Sequence, residues 1–177
     1  MPRVSPNLHA SVDKLTDDFT PEEIARMHEL YNAIPEKNNF VHGDYHTKNI
    51  MESNGELMLI DLGDSGRGNP LIDLMHTYFV LLLAGDSVRK SDDDIGFNGL
   101  TYREMRQFWE ITIDAYCGGD KTEVESLQAK IAGYARLMYL TVSMVHPLMP
   151  KEFRPVYANK VRNEVLSHYE ELMSIKW

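Results

Sequence analysis

The sequence has a single cysteine, Cys117, among its 177 residues. One cysteine cannot form an intrachain disulfide, and such scarcity is typical of proteins from a reducing compartment. The chain also lacks the apolar N-terminal segment that marks a signal peptide. We therefore expect a cytoplasmic protein. Cys117 has no histidine or acidic motif around it, so we interpret it as structural.

Basic residues are scarce: 18 Lys and Arg stand against 27 Asp and Glu, which gives a net charge of −9. This balance argues against binding to nucleic acid or to an anionic membrane. No apolar run is long enough to cross a bilayer, which takes ~20 residues. The most apolar stretch, residues 71–84, is about 14 residues long and contains Asp73 and His76. We predict that it forms a buried helix.

What the sequence does contain is the composition of one globular unit, with 43% hydrophobic residues and no internal repeat. Residues 1–19 are polar with two prolines, and we predict an N-terminal arm or linker there. Residues 20–177 form the folded unit. A helix is predicted to begin at Thr20-Pro21, because Thr20 can cap it and Glu23 completes a capping box, and to end at Pro35.

The second half of the chain is predicted to be helical, because its apolar residues recur at helical spacing. We expect helices over residues 70–84, ending at Gly85, and over residues 101–116, 122–145 and 155–174. The acidic residues 86–99 between them are typical of a solvated loop. Alternatively, these acids recognise an amine.

Residues 41–73 contain the side chains best suited to chemistry. Asn54-Gly55 lies between two alternating apolar segments and predicts a hairpin, because both turn positions favour positive φ. The hairpin would bring Asn49, at the start of its first strand, near Asp61, at the end of its second. Asp44 lies one loop away. Oxygen ligands of this kind suit Mg²⁺ together with phosphate, as phosphoryl transfer requires.

The pattern HGD-x4-N followed by ID resembles the catalytic core of the aminoglycoside phosphotransferase/choline kinase-like family, which is related to the protein kinases. The resemblance implies that Asp44 is the catalytic aspartate and that Asn49 and Asp61 bind the metal. Asp64 matches a second metal-binding acid, although it would also suit a turn cap. The residues that would support the catalytic loop are His42, His46 and Asp73. The sequence does not identify the residues that bind the acceptor.

The resemblance also implies a fold and a reaction. We expect an α+β, mostly α-helical architecture similar to the C-terminal lobe of the protein kinase-like fold, with a small catalytic β-hairpin. The 39 residues before Phe40 are too few for the strand-rich N-terminal lobe that covers the nucleotide, so we expect that lobe to be absent. The implied activity is ATP- and Mg²⁺-dependent transfer of the γ-phosphate to a hydroxyl of a small molecule, such as an aminoglycoside, choline or a sugar.

Three interpretations of the chain stay open at this point. The first is that it is part of a two-lobed kinase and only weakly active alone. The second is a stand-alone module that binds metal and nucleotide without turnover. The third is a lobe completed by a second chain, which would be a separate N-terminal lobe or a second copy. The acidic charge would also suit a cationic acceptor.

Overall fold

The computed structural model of the protein describes residues 3–84, 89–96 and 99–177. In these residues, helices predominate over two small antiparallel sheets, which confirms the predicted mostly helical α+β class. The helices are α1 (Ser5–Asp13), α2 (Pro21–Ala33), α3 (Leu71–Tyr78), α4 (Tyr102–Tyr116), α5 (Lys121–Val145), α6 (Arg154–Glu164) and α7 (Tyr169–Met173). The strands are β1 (Asn39–Val41), β2 (Ile50–Ser53), β3 (Glu56–Leu59) and β4 (Gly66–Gly68).

The long helix α5 forms the centre of the core. Its inward face packs against α3 on one side and α6 on the other. The side chains on this face that are almost completely buried include Ile131, Tyr134, Leu137, Met138 and Leu140. In the part of the chain that the structure describes, no helix has both the length and the apolar character needed to span a bilayer.

The N-terminal residues, expected to form an arm or linker, instead pack on the core. Apolar residues recur every three or four positions along this segment and form one buried face of helix α1 and the turn after it. The buried side chains are Val4, Leu8, Val12, Leu15 and Phe19. The Val4 amide also donates to the Arg67 carbonyl of β4 at 3.1 Å. The separation of an arm from residues 20–177 therefore does not describe the packing.

The hairpin predicted from Asn54-Gly55 is confirmed. Both turn residues have positive φ, 54° and 80°, as a two-residue turn between twisted strands requires. Strands β2 and β3 pair antiparallel, from Ile50 opposite Leu59 to Ser53 opposite Glu56. The turn chemistry thus fixes which residues lie at the open end of the hairpin, where Asn49 and Ile60 meet.

The glycine-rich segment after Asp61 is anchored at its far end. Residues Gly66–Gly68 form strand β4, which pairs antiparallel with β1 so that Arg67 lies opposite Phe40. The sequence has no alternation of apolar and polar residues that would predict β4, because two of its three residues are glycines. Because β4 pairs with β1, the chain enters and leaves the segment that contains the hairpin at two adjacent points.

Two predicted helices differ from the structure. The helix over residues 70–84 begins as α3 but becomes a π-helical turn over Phe79–Leu83, in which the Ala84 amide donates to the Phe79 carbonyl at 3.0 Å. The helix predicted over residues 155–174 breaks at Val165, whose φ of −126° is not helical. The break turns the chain so that Leu172 packs against Gly133 of α5, where a Cβ would lie 2.4 Å from Leu172 Cδ2.

The acidic segment is described only in part. Gly85, predicted to end a helix, lies outside the described residues, as do residues 86–88 and 97–98. Of the central acids, Asp92 pairs with Arg106 at 2.7 Å and Asp93 with Arg103 at 2.9 Å. These ion pairs neutralise two of the charges that recognition of an amine would use.

Glu23 joins the start of α2 to the C-terminal helices. Its side chain accepts from the Thr20 amide at 2.8 Å, which confirms the predicted capping box. The same carboxylate accepts from Arg162 of α6 at 2.6 Å and 3.0 Å. The hydrogen bond from Arg162 is the main cause that lowers the pKa of the Glu23 carboxyl. Ionised Glu23 therefore stabilises the fold.

We expect Glu23→Gln to lower the free energy of unfolding by about 1–2 kcal/mol at pH 7, because it weakens a cap and a charge-assisted pair. Since the folded-state pKa of Glu23 is lowered, this contribution is present above the ordinary value of 4.5. It is lost as the pH falls further through the folded-state value. Urea denaturation at pH 7 measures the loss of stability, and the same measurement at pH 4 shows how far that loss has diminished. Glu22→Gln, at an exposed position beside it, is the control, and an equal loss in that variant would contradict this role.

Candidate functional site

The first helix after the hairpin holds the HGD loop, residues 42–49, through two side chains. The Asp73 carboxylate in the first turn of α3 accepts from the backbone amides of His42 and Gly43, each at 2.8 Å. One turn later, the Thr77 hydroxyl lies 2.8 Å from the Tyr45 carbonyl. Residues four apart on a helix share a face, so α3 presents both groups to the loop. Burial raises the pKa of Asp73, while the two amides oppose that change.

His42 connects this loop to the segment that follows the hairpin, residues 60–64. Its side chain is 1% exposed. Its Nδ1 accepts from the Asp44 amide at 3.3 Å, so the ring hydrogen is on Nε2, which donates to the Ile60 carbonyl at 2.9 Å. His42 thus lies where the sequence predicted a supporting role rather than contact with substrate.

Two further contacts hold the loop against residues 60–64. The Ile60 amide donates to the Asn49 carbonyl at 3.0 Å. Gly43 has φ +85°, and a Cβ there would lie 2.4 Å from the Asp64 carbonyl oxygen. The close approach of Asp64 and the positive φ together require glycine between His42 and Asp44.

Asp44 lies at the centre of a cluster of polar side chains. Its Oδ2 accepts from Asn49 Nδ2 at 3.0 Å. Its Oδ1 lies 3.3 Å from His46 Nε2 and 3.5 Å from His76 Nε2. The Asp44 side chain keeps 32% of its surface exposed, so solvent or a substrate hydroxyl can reach it. The structure therefore brings together three of the predicted residues, Asp44, Asn49 and His46.

Sequence reasoning missed His76 and Thr77 as parts of this site. Both lie on α3 at three and four residues after Asp73, so each follows from helical spacing once Asp73 is assigned to the loop. Burial lowers the pKa of His76, although the Asp44 carboxylate opposes that change. The lowered pKa favours a neutral imidazole beside Asp44.

The residues predicted to bind the metal are Asn49 in the loop and Asp61 and Asp64 in the segment after the hairpin. Asn49 Nδ2 faces two oxygens of Asp44, so its Oδ1 points away from that residue. Asp61 and Asp64 are exposed. Asp61 has φ 57° and ψ 59°, a left-handed conformation that is unusual for a residue other than glycine and is concentrated at functional sites.

The donor set fits a metal that is shared with phosphate. Within residues 3–84, 89–96 and 99–177, no three His, Cys, Asp or Glu side chains are grouped so that they could hold a metal by themselves. The predicted ligands supply two carboxylates, from Asp61 and Asp64, and one amide oxygen, from Asn49. Mg²⁺ usually takes one or two carboxylates and fills its other positions with water and phosphate oxygens. The residues present therefore fit Mg²⁺ carried by a nucleotide.

These groups have complementary chemical capacities. An accessible carboxylate held by an amide and two imidazoles can orient a hydroxyl and accept its proton. Oxygen donors on the adjacent segment can hold a metal–phosphate group. Both capacities lie within the HGD loop and residues 60–64, which the hydrogen bonds of Asp73 and His42 hold together.

Comparison with known proteins assigns this region of the chain to a group. The model of the phosphotransferase enzyme family matches residues 3–108, which is more than half of the chain and includes the whole site. No curated protein and no solved structure matched the sequence.

We expect Asp73→Asn to destabilise the protein by about 2–3 kcal/mol, because the variant replaces a partly buried charged acceptor of two amide hydrogen bonds. The free energy of unfolding from urea titration measures this. Asp64→Asn, an equivalent change at an exposed carboxylate of the same site, should cost less than about 0.5 kcal/mol. If the two variants were equally stable, Asp73 would not hold the loop.

Proposed function

The chain belongs to the phosphotransferase enzyme family, and we propose that it is the catalytic lobe of an ATP-dependent kinase that phosphorylates a hydroxyl of a small molecule. The observation that carries this proposal is the Asp44 carboxylate, held by Asn49, His46 and His76 and still accessible. A nucleophile-orienting carboxylate next to oxygen donors is what phosphoryl transfer requires of a protein.

In the proposed mechanism, Asn49 and Asp61 would hold Mg²⁺, with Asp64 as a second carboxylate. The metal would supply neutralisation of the phosphate charge. Asp44 would orient the acceptor hydroxyl in line with the γ-phosphate. The acceptor oxygen would form the new O–P bond while the P–O bond to the β-phosphate breaks, so that the hydroxyl proton passes to Asp44 and ADP leaves.

The supporting residues act on Asp44 without contacting the substrate. His46 and His76 flank Oδ1 and Asn49 holds Oδ2, so the carboxylate keeps one orientation before the acceptor arrives. A fixed orientation lowers the entropic cost of reaching the reactive geometry. His42 and Asp73 hold the backbone on which this arrangement depends.

Calorimetric titration with Mg-ATP tests the proposed ligands. We expect Asp61→Ala to weaken Mg-ATP binding by about 10- to 100-fold, because it removes a metal ligand. Asp44→Asn should keep binding within about threefold, yet lower phosphate transfer to an acceptor by about 10²–10⁴-fold, because it removes the proton acceptor.

The control for this titration is Asp17→Ala, which removes an exposed carboxylate outside the site and should leave binding unchanged. Equal binding by the wild type and Asp61→Ala would contradict the metal assignment. Binding that Asp44→Asn abolishes would place Asp44 among the nucleotide ligands instead of opposite the acceptor.

A second candidate is supported by the surface of the hairpin. Large apolar side chains are exposed on and beside it, namely Phe40, Met51, Leu57, Met58, Leu59 and Leu62. Exposed apolar patches of this kind are typical of surfaces that bind another protein. We therefore also propose that a second body, either a separate nucleotide-covering lobe or a second copy of this chain, completes the site. A stand-alone module that binds metal and nucleotide without turnover is the remaining alternative.

Sedimentation analysis separates a self-completing lobe from a monomer. If a second copy covers the hairpin, the sedimentation coefficient should rise with protein concentration, and Leu57→Ser should suppress that rise by removing exposed apolar area. The control is Ile111→Ser, a comparable change at an exposed aliphatic residue of α4, outside the hairpin. A monomer that is independent of concentration would contradict association through a second copy.

A further inference from the structure

An open groove of about 500 Å³ lies between the end of α5, the following loop and α6. This volume is in the range of sites that bind small molecules. Its lining is mostly apolar and aromatic, with Phe79, Val142, Met149, Phe153 and Tyr157 among the residues, and Lys160 is at its edge. The family match ends at residue 108, before all of these residues except Phe79.

The groove is joined to the site by one shared side chain. Phe79 lines the groove, and its ring contacts the His76 ring at a centroid distance of 5.1 Å in an edge-to-face arrangement. His76 Nε2 lies 3.5 Å from Asp44 Oδ1. A chain of contacts through the rings of Phe79 and His76 therefore links the groove to the carboxylate that orients the acceptor.

The backbone at Phe79 is irregular in a way that is common at binding sites. Residues Phe79–Leu83 form a π-helical turn, a rare conformation that is found often at functional positions. On the other side of Phe79, the Tyr139 ring lies 5.2 Å away, and the Tyr139 hydroxyl is 3.3 Å from that of Tyr157. The aromatic wall is thus continuous from His76 to the groove.

The polar groups that line the groove determine which charge on a bound molecule it favours. The Lys160 ammonium lies 5.8 Å from the centre of the Tyr157 ring. His146 Nδ1 accepts from the Leu148 amide at 3.2 Å, which leaves Nε2 to donate. Among the described residues that line the groove, none is acidic, although the chain carries a net charge of −9. The groove therefore favours an anionic group and disfavours an amine.

We propose that this groove binds the body of the phosphoryl acceptor, and that the acceptor is an alcohol with an apolar ring and an anionic group. The ring would pack on Phe153 and Tyr157, the anion would meet Lys160 and His146, and the hydroxyl would extend past Phe79 toward Asp44. This assignment rests on the proposed function. It differs from the cationic acceptor that the overall charge suggested.

Calorimetry with matched probes tests the chemical class. We use 3-phenyllactate, whose ring and carboxylate represent the body of the acceptor, together with phenylalaninol, which is cationic, and lactate, which has no ring. We expect 3-phenyllactate to bind the full chain at least about tenfold more tightly than either of the other two. Phe153→Ala and Lys160→Met should each weaken its binding by about three- to tenfold.

The control variants are Ile111→Ser and Lys176→Met, which make comparable changes at exposed positions outside the groove. They should bind 3-phenyllactate as the wild type does. Equal losses in the control and groove variants would overturn the groove assignment, as would absence of binding by every probe. Tighter binding of phenylalaninol would overturn the anionic class. A dimer that Phe153→Ala abolishes would assign the groove to a second copy and also overturn the proposal.

Paramagnetic NMR separates failure of this inference from failure of the proposed function. With Mn²⁺-ATP in place of Mg²⁺-ATP, the proton signals of bound 3-phenyllactate should broaden, because Phe79 of the groove is linked through His76 to Asp44 of the site. Probe binding without broadening, while Asp61-dependent nucleotide binding persists, would overturn the acceptor role and leave the proposed function intact. If the chain bound no Mg-ATP, the proposed function would fail first and the acceptor role with it.

Discussion

The site depends on the Asp73 carboxylate, which accepts two amide hydrogen bonds from the start of the HGD loop. A loop of this kind has few apolar contacts of its own, so its conformation must come from a group on a rigid element. Helix α3 supplies that group, and α3 packs in turn on the central helix α5. The buried core therefore determines, through one side chain, where Asp44 lies. This is why His76 and Thr77 of the same helix also contact the loop.

The parts of the site that were predictable from the sequence are those with local causes. Asn54-Gly55 specifies a hairpin through backbone preference alone, and the hairpin brings Asn49 next to Ile60. The loop motif predicts that Asp44 and Asn49 belong to one site, and the two side chains are hydrogen-bonded to each other. His76 was not found because its role depends on the packing of α3 against the loop, and the helical spacing from Asp73 indicates only that the two residues share a face of α3.

The errors in the fold have the same physical origin. The N-terminal segment is polar on average, so its composition indicated a linker, yet its larger described apolar residues, from Val4 to Phe19, share one face and are buried. The break at Val165 accompanies the packing of Leu172 against Gly133, a contact between distant parts of the chain. Strand β4 exists because β1 is available to pair with it. In each case tertiary contacts override the local signal.

The central claim is that residues 42–49 and 60–64 form one binding site for metal and nucleotide. An amide NMR titration of the isotopically labelled chain with Mg-ATP tests this most directly. The account predicts that the largest shifts fall on these two segments and that removing Mg²⁺ with a chelator reverses them. Shifts that are absent, that persist without Mg²⁺, or that centre on another part of the chain would contradict it.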